Sequence, residues 1–194
     1  AVETDLNDGA WFKFESAHDL ETQGEYGGLR LTFRSGVGEV LKDIRRAQII
    51  NLDFGAGDPI TPEPSIIETP QILGKENLSW TVYPVETTVA EKLHCLITRH
   101  LDNSRSKDIF DLKVLLPICN PLILRTAIDA TFSYRGNVVP KSLTSDLQSI
   151  DTTILRRGWN SAVSGIKPMP DFDQTLSHVI AVLDEILQQI QKPQ

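Results

Sequence analysis

Apolar and polar residues alternate along several segments of the first half of the chain. Leu29, Leu31 and Phe33 stand at every second position, which is typical of a strand with one apolar face. Other segments alternate less regularly but end at glycines or prolines, as strands commonly do. The strands predicted in this way cover residues 10–14, 29–34, 48–54 and 80–83.

Glycine and proline mark the connections between these strands. The pair Gly27-Gly28 predicts a turn at residues 25–28, because glycine adopts positive φ angles without strain. Four prolines within residues 59–75 predict an extended loop, since proline lacks the N–H that a helix or a sheet ladder needs.

From Val85 onward apolar residues recur every three or four positions, which is typical of amphipathic helices. Strands in the first half and helices in the second indicate an α+β fold, with a sheet-containing domain at residues 1–84 and a C-terminal helical domain at residues 85–194. The predicted helices cover residues 85–100, 106–116, 121–130, 154–163 and 172–190.

Charge and cysteine content narrow the class of protein. The chain carries 19 lysines and arginines against 26 acidic residues, a net charge of −7, which disfavours general binding to nucleic acid. Cys95 and Cys119 lie among apolar residues and predict buried thiols in a reducing cytoplasm. We expect no secretion leader and no membrane span, because no apolar run approaches 18 residues. The chain begins with Ala1, which is compatible with its being the later part of a longer protein.

Asp53 is the first candidate for chemistry, because it is a carboxylate near the end of an otherwise apolar strand. Aspartate at such a position commonly caps the following turn. It is also a candidate metal ligand or catalytic carboxylate, and the spacing alone leaves both interpretations open.

A second candidate site combines two predicted helices. Lys92 lies at the edge of the apolar face of the first helix, and Asp108 and Asp111 lie one turn apart on the second. Two neighbouring carboxylates on a largely apolar helix need a positive partner, which Lys92, Arg105 or Lys107 can supply. The pattern fits a structural ion-pair network and, equally, a site that faces a metal-bound polyphosphate.

Two segments carry a resemblance to a known family. Residues 83–92 (YPVETTVAEK) and 103–112 (NSRSKDIFDL) resemble the AbiEii/AbiGii toxin family of nucleotidyltransferases. The resemblance continues in order over nearly the whole chain. The further matching positions are residues 26–30, 51–58, 60–62 and 127–132, with Arg135, Pro140 and Trp159.

The resemblance implies a partial polymerase-β-like nucleotidyltransferase core with a mixed β-sheet, followed by the helical domain. It implies a bacterial toxin of a toxin–antitoxin pair that acts in phage defence. Its implied activity is transfer of a nucleoside monophosphate from an NTP to an acceptor, which is tRNA in some members. Mg²⁺ bound by carboxylates would accompany the NTP, and a cognate antitoxin is the implied partner.

The resemblance also implies roles for individual residues. Asp53 matches a metal-binding carboxylate, and Lys92 matches the lysine that contacts the phosphates. Asp108 and Asp111 match the acidic motif that closes the catalytic site, with Asp111 the preferred carboxylate. Arg105 and Lys107 are the implied substrate-binding residues.

The chain departs from the family pattern at its start. Such enzymes begin with a Gly-Gly or Gly-Ser helix start and a strand that carries an Asp-x-Asp pair, and the sequence shows neither. We therefore expect this chain, as given, to bind NTP poorly and not to catalyse transfer. The alternative is a noncatalytic binding or regulatory module that docks an antitoxin or RNA, and a purely structural helical domain is the third interpretation.

Overall fold

The computed structural model describes residues 8–20, 28–55, 59–70, 76–99 and 105–191. Strands precede helices within these residues, so the predicted α+β class is confirmed. The strands are β1 (Ala10–Leu20), β2 (Gly28–Val37), β3 (Gln48–Gly55), β4 (Ser65–Pro70) and β5 (Asn77–Val82). The helices are α1 (Val85–Thr98), α2 (Ser106–Leu115), α3 (Pro121–Tyr134), α4 (Leu143–Ser149), α5 (Thr153–Ala162) and α6 (Phe172–Gln191).

The chain divides into two compact units, residues 1–58 and residues 59–194. The predicted domain boundary at residue 84 stays a prediction. None of the helices among the described residues is long and apolar enough to cross a membrane.

The first unit contains an antiparallel sheet in the order β1-β2-β3. Phe33 of β2 lies opposite Phe14 of β1 and Ile50 of β3, so the three side chains share one face. Phe33 is buried there. Its ring packs edge to face against the ring of Phe14, with 5.8 Å between the ring centroids. Arg30 lies an odd number of positions away and therefore belongs to the opposite face, as does its partner Asp53. The turn predicted at 25–28 lies, up to residue 27, outside the described residues.

The second unit begins with an antiparallel hairpin of β4 and β5. The loop prediction for residues 59–75 is therefore wrong for residues 65–70. Pro64 precedes β4 and Pro70 is its last residue, so neither proline interrupts the middle of the strand.

The helices of the second unit surround one hydrophobic core. The apolar face of α1 packs against α3 and α2, and α6 packs against α2, α3 and α4. Cys95 is buried and Cys119 half-buried, and both are free thiols. Burial, with a further contribution from the charge of Glu86, raises the pKa of Cys119 to about 12. The side chains that form the centre of the core include Leu93, Leu96, Ile109, Leu112, Leu116, Leu124, Ile128, Phe132, Leu147, Leu155 and Leu183.

The first turn of α2 is held against α5. Ser106 begins α2, and its hydroxyl donates a hydrogen bond of 2.8 Å to the carbonyl of Leu155. Gly158 lies beside this hydroxyl, and a Cβ atom at residue 158 would stand only 2.5 Å from Ser106 Oγ. The absence of a side chain at Gly158 therefore allows α5 to approach the start of α2.

A second contact joins the starts of α1 and α3. The side chain of Asn120 accepts hydrogen bonds from the N–H groups of Leu122 and Ile123, which makes it the N-cap of α3. Its own N–H donates to Glu86 Oε1 at 2.9 Å, and Glu86 is buried in the first turn of α1.

Candidate functional site

Lys92 bridges two carboxylates of the neighbouring helix. Its Nζ donates hydrogen bonds to Asp108 Oδ1 at 2.6 Å and to Asp111 Oδ2 at 2.8 Å. Asp108 and Asp111 are three residues apart on α2 and so lie on one side of that helix, where one ammonium reaches both. The exposed fraction of the side chain is 18% for Lys92, 8% for Asp108 and 20% for Asp111.

Two further cations stand next to these carboxylates. Lys107 Nζ donates to both oxygens of Asp111, at 2.7 and 2.9 Å, across one helical turn. Arg105 Nη1 lies 3.5 Å from Asp108 Oδ2, which is an ion-pair distance without hydrogen-bond geometry. These five residues (Lys92, Arg105, Lys107, Asp108 and Asp111), which we call the lysine–aspartate cluster, carry three positive and two negative charges.

Burial and hydrogen bonding act on the pKa values of this cluster in opposite directions. Burial is the strongest single influence, and by itself it lowers the pKa of Lys92 and raises that of Asp111. The hydrogen bonds and charges together outweigh it. The pKa of Lys92 therefore lies above its ordinary value of 10.5, and the pKa of Asp111 lies below its ordinary value of 3.8. Both groups are charged at neutral pH.

Asp53 lies in the first unit and pairs with the opposite residue of β2. Arg30 Nε donates to Asp53 Oδ1 at 2.6 Å, and Arg30 Nη2 donates to Oδ2 at 2.7 Å. Hydrogen bonding from Arg30 is the main cause that holds the pKa of Asp53 below its ordinary range, against the effect of burial. Both carboxylate oxygens are thus engaged, although about half of the side chain is exposed.

The described residues do not by themselves form a magnesium centre. No three His, Cys, Asp or Glu side chains among them lie together in a way that could hold a metal ion. Mg²⁺ prefers carboxylate oxygens and water, and the oxygens of Asp53 already accept hydrogen bonds from Arg30. The metal role of Asp53 stays a prediction.

The structure thus brings together five of the six candidate residues, and Asp53 lies in the other compact unit. The bidentate partner of Asp53, Arg30, was not among the candidates. Its polar position in an alternating strand was visible in the sequence, but pairing it with Asp53 requires the register of β2 on β3. The ten-residue connection between these strands leaves that register open at the sequence level.

Comparison with known proteins identifies one family. The family model described as nucleotidyl transferase AbiEii toxin, type IV TA system, matches residues 3–178. This match includes the whole of the lysine–aspartate cluster and Asp53. None of the curated proteins compared with the chain matches it significantly.

Proposed function

The chain belongs to the AbiEii family of nucleotidyl transferase toxins of type IV toxin–antitoxin systems, and we propose that it takes part in transfer of a nucleoside monophosphate from an NTP to an acceptor hydroxyl. The observation that carries this proposal is the half-buried ammonium of Lys92, held between Asp108 and Asp111 inside the matched segment. A charged lysine at a fixed position suits contact with a phosphate oxygen.

The cluster suits a triphosphate because cations outnumber carboxylates within it. In the proposed reaction the acceptor oxygen forms a bond to the α-phosphorus, and the bond from that phosphorus to the β-phosphate oxygen breaks. Pyrophosphate leaves with the electron pair, and the proton of the hydroxyl passes to water. Lys92 would bind a phosphate oxygen, Lys107 and Arg105 would add positive charge, and Asp111 would close the site.

We propose that the NTP binds as its magnesium complex. In nucleotide-binding sites Mg²⁺ is usually coordinated by phosphate oxygens of the substrate together with one or two protein carboxylates. Asp53 is the chain's candidate for such a carboxylate and would have to be released by Arg30. The described residues do not complete a metal site around Asp53.

Membership of the family implies a cognate antitoxin and an NTP as partners. We propose tRNA as the acceptor, the bacterial cytoplasm as the location and phage defence as the biological role. Because the chain has a net charge of −7, affinity for tRNA would have to come from a local group of cations. The proposed contacts are two exposed cations, Arg105 directly before α2 and Lys107 in its first turn.

A noncatalytic binding module is the second candidate function. The observation that favours it is the complete engagement of Asp53 by Arg30, together with the lack of a metal cluster among the described residues. Such a module would retain the lysine–aspartate cluster as an ion-pair network or an anion-binding surface.

Incorporation of labelled NTPs into total tRNA, with Mg²⁺ present, separates the two functions. The chain and any longer product that the same gene encodes are assayed, each beside its own Lys92→Ala and Asp111→Asn variants. Lys113→Ala and Asp129→Asn are matched controls, since Lys113 has no ion pair among the described residues and Asp129 pairs only with Arg125 on the surface of α3. In the form that labels tRNA, loss of a fixed charge at a phosphate should lower labelling about 100-fold in Lys92→Ala and leave both controls unchanged.

Labelling that is lost in Lys92→Ala and kept in the controls would support the transferase. Absence of labelling by every form with each of the four NTPs would contradict it and favour the binding module. Labelling by a longer product alone would support the expectation that this chain is inactive as given.

A further inference from the structure

The two carboxylates that hold Lys92 differ in how much they depend on it. Asp108 is almost completely buried, and Lys92 supplies the hydrogen bond to its Oδ1. The other oxygen, Oδ2, is buried and accepts no hydrogen bond from the described residues. A buried carboxylate that loses its hydrogen-bonded cation is left uncompensated, so separation of Lys92 from Asp108 is strongly disfavoured.

Asp111 is in the opposite situation. Its side chain is 20% exposed, and Lys107 donates to both of its oxygens. If Lys92 moved away, Asp111 would keep a cation and could also take up water. Separation of Lys92 from Asp111 therefore costs less than separation from Asp108.

Lys92 also keeps hydrogen-bonding capacity. An ammonium has three N–H groups, and the two carboxylates take two of them. Among the residues that the structure describes, Nζ makes hydrogen bonds to these two carboxylates and to no third acceptor. The group can therefore accommodate a new anionic acceptor, and its side chain is partly exposed to solvent.

We propose that Asp108 is a positioning residue that holds Lys92 from the buried side, whereas Asp111 is the partner that Lys92 exchanges for a phosphate oxygen. This inference rests on the proposed function for the identity of the anion. On binding of a triphosphate, Lys92 keeps its hydrogen bond to Asp108, and Asp111 remains paired with Lys107. Asp108 then acts on the nucleotide only through Lys92.

Chemical labelling of Lys92 tests this division of roles without requiring activity. Acetic anhydride acetylates only the neutral amine, so the labelling rate, followed over pH by peptide mass spectrometry, reports the pKa of Lys92. Asp108 and Asp111 form the ion pairs with Lys92, Lys107 and Arg105 pair in turn with these two carboxylates, and Glu91 precedes Lys92 on α1. The variants are Asp108→Asn and Asp111→Asn, and Asp129→Asn is the matched control.

We expect the labelling rate of Lys92 at pH 8.5 to rise about 10-fold in Asp108→Asn, about 3-fold or less in Asp111→Asn, and not at all in Asp129→Asn. An effect of Asp111→Asn equal to or larger than that of Asp108→Asn would overturn the proposal. Circular dichroism establishes that each variant is folded.

A second measurement covers the case in which Asp108→Asn fails to fold. At neutral pH the NH₃⁺ signal of Lys92 in ¹H–¹⁵N spectra is observable only when hydrogen bonds to acceptors slow the exchange of its protons with water. The proposal requires this signal to persist in Asp111→Asn, and its disappearance there would contradict the role of Asp108.

Labelling in the presence of nucleotide distinguishes a failure of this inference from a failure of the proposed function. Mg²⁺–ATP, and then each other NTP, is added during labelling. If NTP protects Lys92 from acetylation in the unmodified chain and in Asp111→Asn, but not in Asp108→Asn, both proposals are supported. Lack of protection by every NTP, with the order of labelling rates as expected, would contradict nucleotide binding by this chain and leave the positioning role of Asp108 supported.

Discussion

At the scale of single residues, the cost of a substitution in the lysine–aspartate cluster depends on what remains beside Asp108. Removal of Lys92 leaves a buried carboxylate without its hydrogen-bonded cation, and such losses cost several kcal/mol. Removal of Lys107 affects an ion pair on the helix surface, because Lys107 is largely exposed.

We expect Lys92→Ala to lower the free energy of unfolding by about 3 kcal/mol, and Lys107→Ala by about 0.5 kcal/mol or less. Urea denaturation at pH 7 measures both values. The double variant Lys92→Met/Asp108→Leu should regain much of the loss, since it removes the charge together with its partner. Equal effects of the two single variants would show that Asp108 does not depend on Lys92.

The pKa directions predict how this contribution depends on pH. Because the folded pKa of Asp111 is depressed, its contribution is complete above the ordinary pKa of 3.8 and is lost as the pH falls through the lower folded value. Because the folded pKa of Lys92 is raised, its contribution is complete below 10.5 and is lost as the pH rises through the higher folded value.

We therefore expect the difference in urea midpoint between the unmodified chain and Asp111→Asn to be constant from about pH 5 to about pH 9 and to shrink below about pH 4. Urea titrations monitored by circular dichroism at intervals of one pH unit measure this difference. A difference that grows on acidification would contradict the depressed pKa of Asp111.

At the scale of elements, the sequence was most informative where a pattern was long and regular. The period of the apolar residues predicted α1, α2, α3, α5 and α6, and α2 ends at Leu115, close to Pro117. The helix α4 was missed because it is short and contains only two apolar residues, Leu143 and Leu147. Two positions are too few to establish a helical period in the sequence, although both side chains are buried in the structure. The strand β4 was missed because Pro64 and Pro70 bound it and because its sequence, SIIETP, shows no regular alternation of apolar and polar residues.

The same reasoning applies to the candidate site. Spacing placed Asp108 and Asp111 on one side of α2 and Lys92 at the edge of the apolar face of α1, and the structure joins the three. The unequal burial of the two carboxylates was not predictable, because it depends on how α2 packs against α5 and α6. Whether these residues act on a nucleotide stays a prediction.

The N-cap of α3 gives a prediction at this scale. Asn120→Ala removes the acceptor of two N–H groups at the start of the helix, so we expect a loss of about 1 kcal/mol in the free energy of unfolding. Asn120→Asp keeps the acceptor oxygen, but it brings a second negative charge close to Glu86. Asn120→Ser is therefore the better control and should lose much less, as measured by urea denaturation. An equal loss of unfolding free energy in Asn120→Ala and Asn120→Ser would show that the cap does not stabilise α3.

At the scale of the whole molecule, the hydrophobic core is distributed unevenly between the two compact units. Among the described residues, Phe33 and Ala47 are the only buried hydrophobic side chains of residues 1–58, and all the others lie in residues 59–194. Stability of a domain comes mainly from buried apolar area, so the second unit holds most of the stabilising contacts.

We expect residues 59–194, produced alone, to fold and to unfold cooperatively on heating, with helical circular dichroism and with Lys92 labelled at the same rate as in the full chain. Residues 8–55 produced alone should show no cooperative transition, because few apolar side chains are buried there. A fragment 59–194 without a cooperative transition would contradict the assignment of an independent core to this unit.

The contact between Ser106 and Gly158 has a consequence for how this sequence can vary. A methyl group at residue 158 would stand 2.5 Å from Ser106 Oγ, so Gly158→Ala requires either that the hydroxyl rotates and loses its hydrogen bond to Leu155 or that the helices separate. The change Ser106→Gly removes the obstructing hydroxyl and should make alanine at residue 158 acceptable. The two positions are therefore epistatic: in a library of double variants, alanine at residue 158 should be enriched where residue 106 has lost its hydroxyl. A glycine on α5 thus limits the substitutions open to Ser106, the first residue of the helix that carries Asp108 and Asp111.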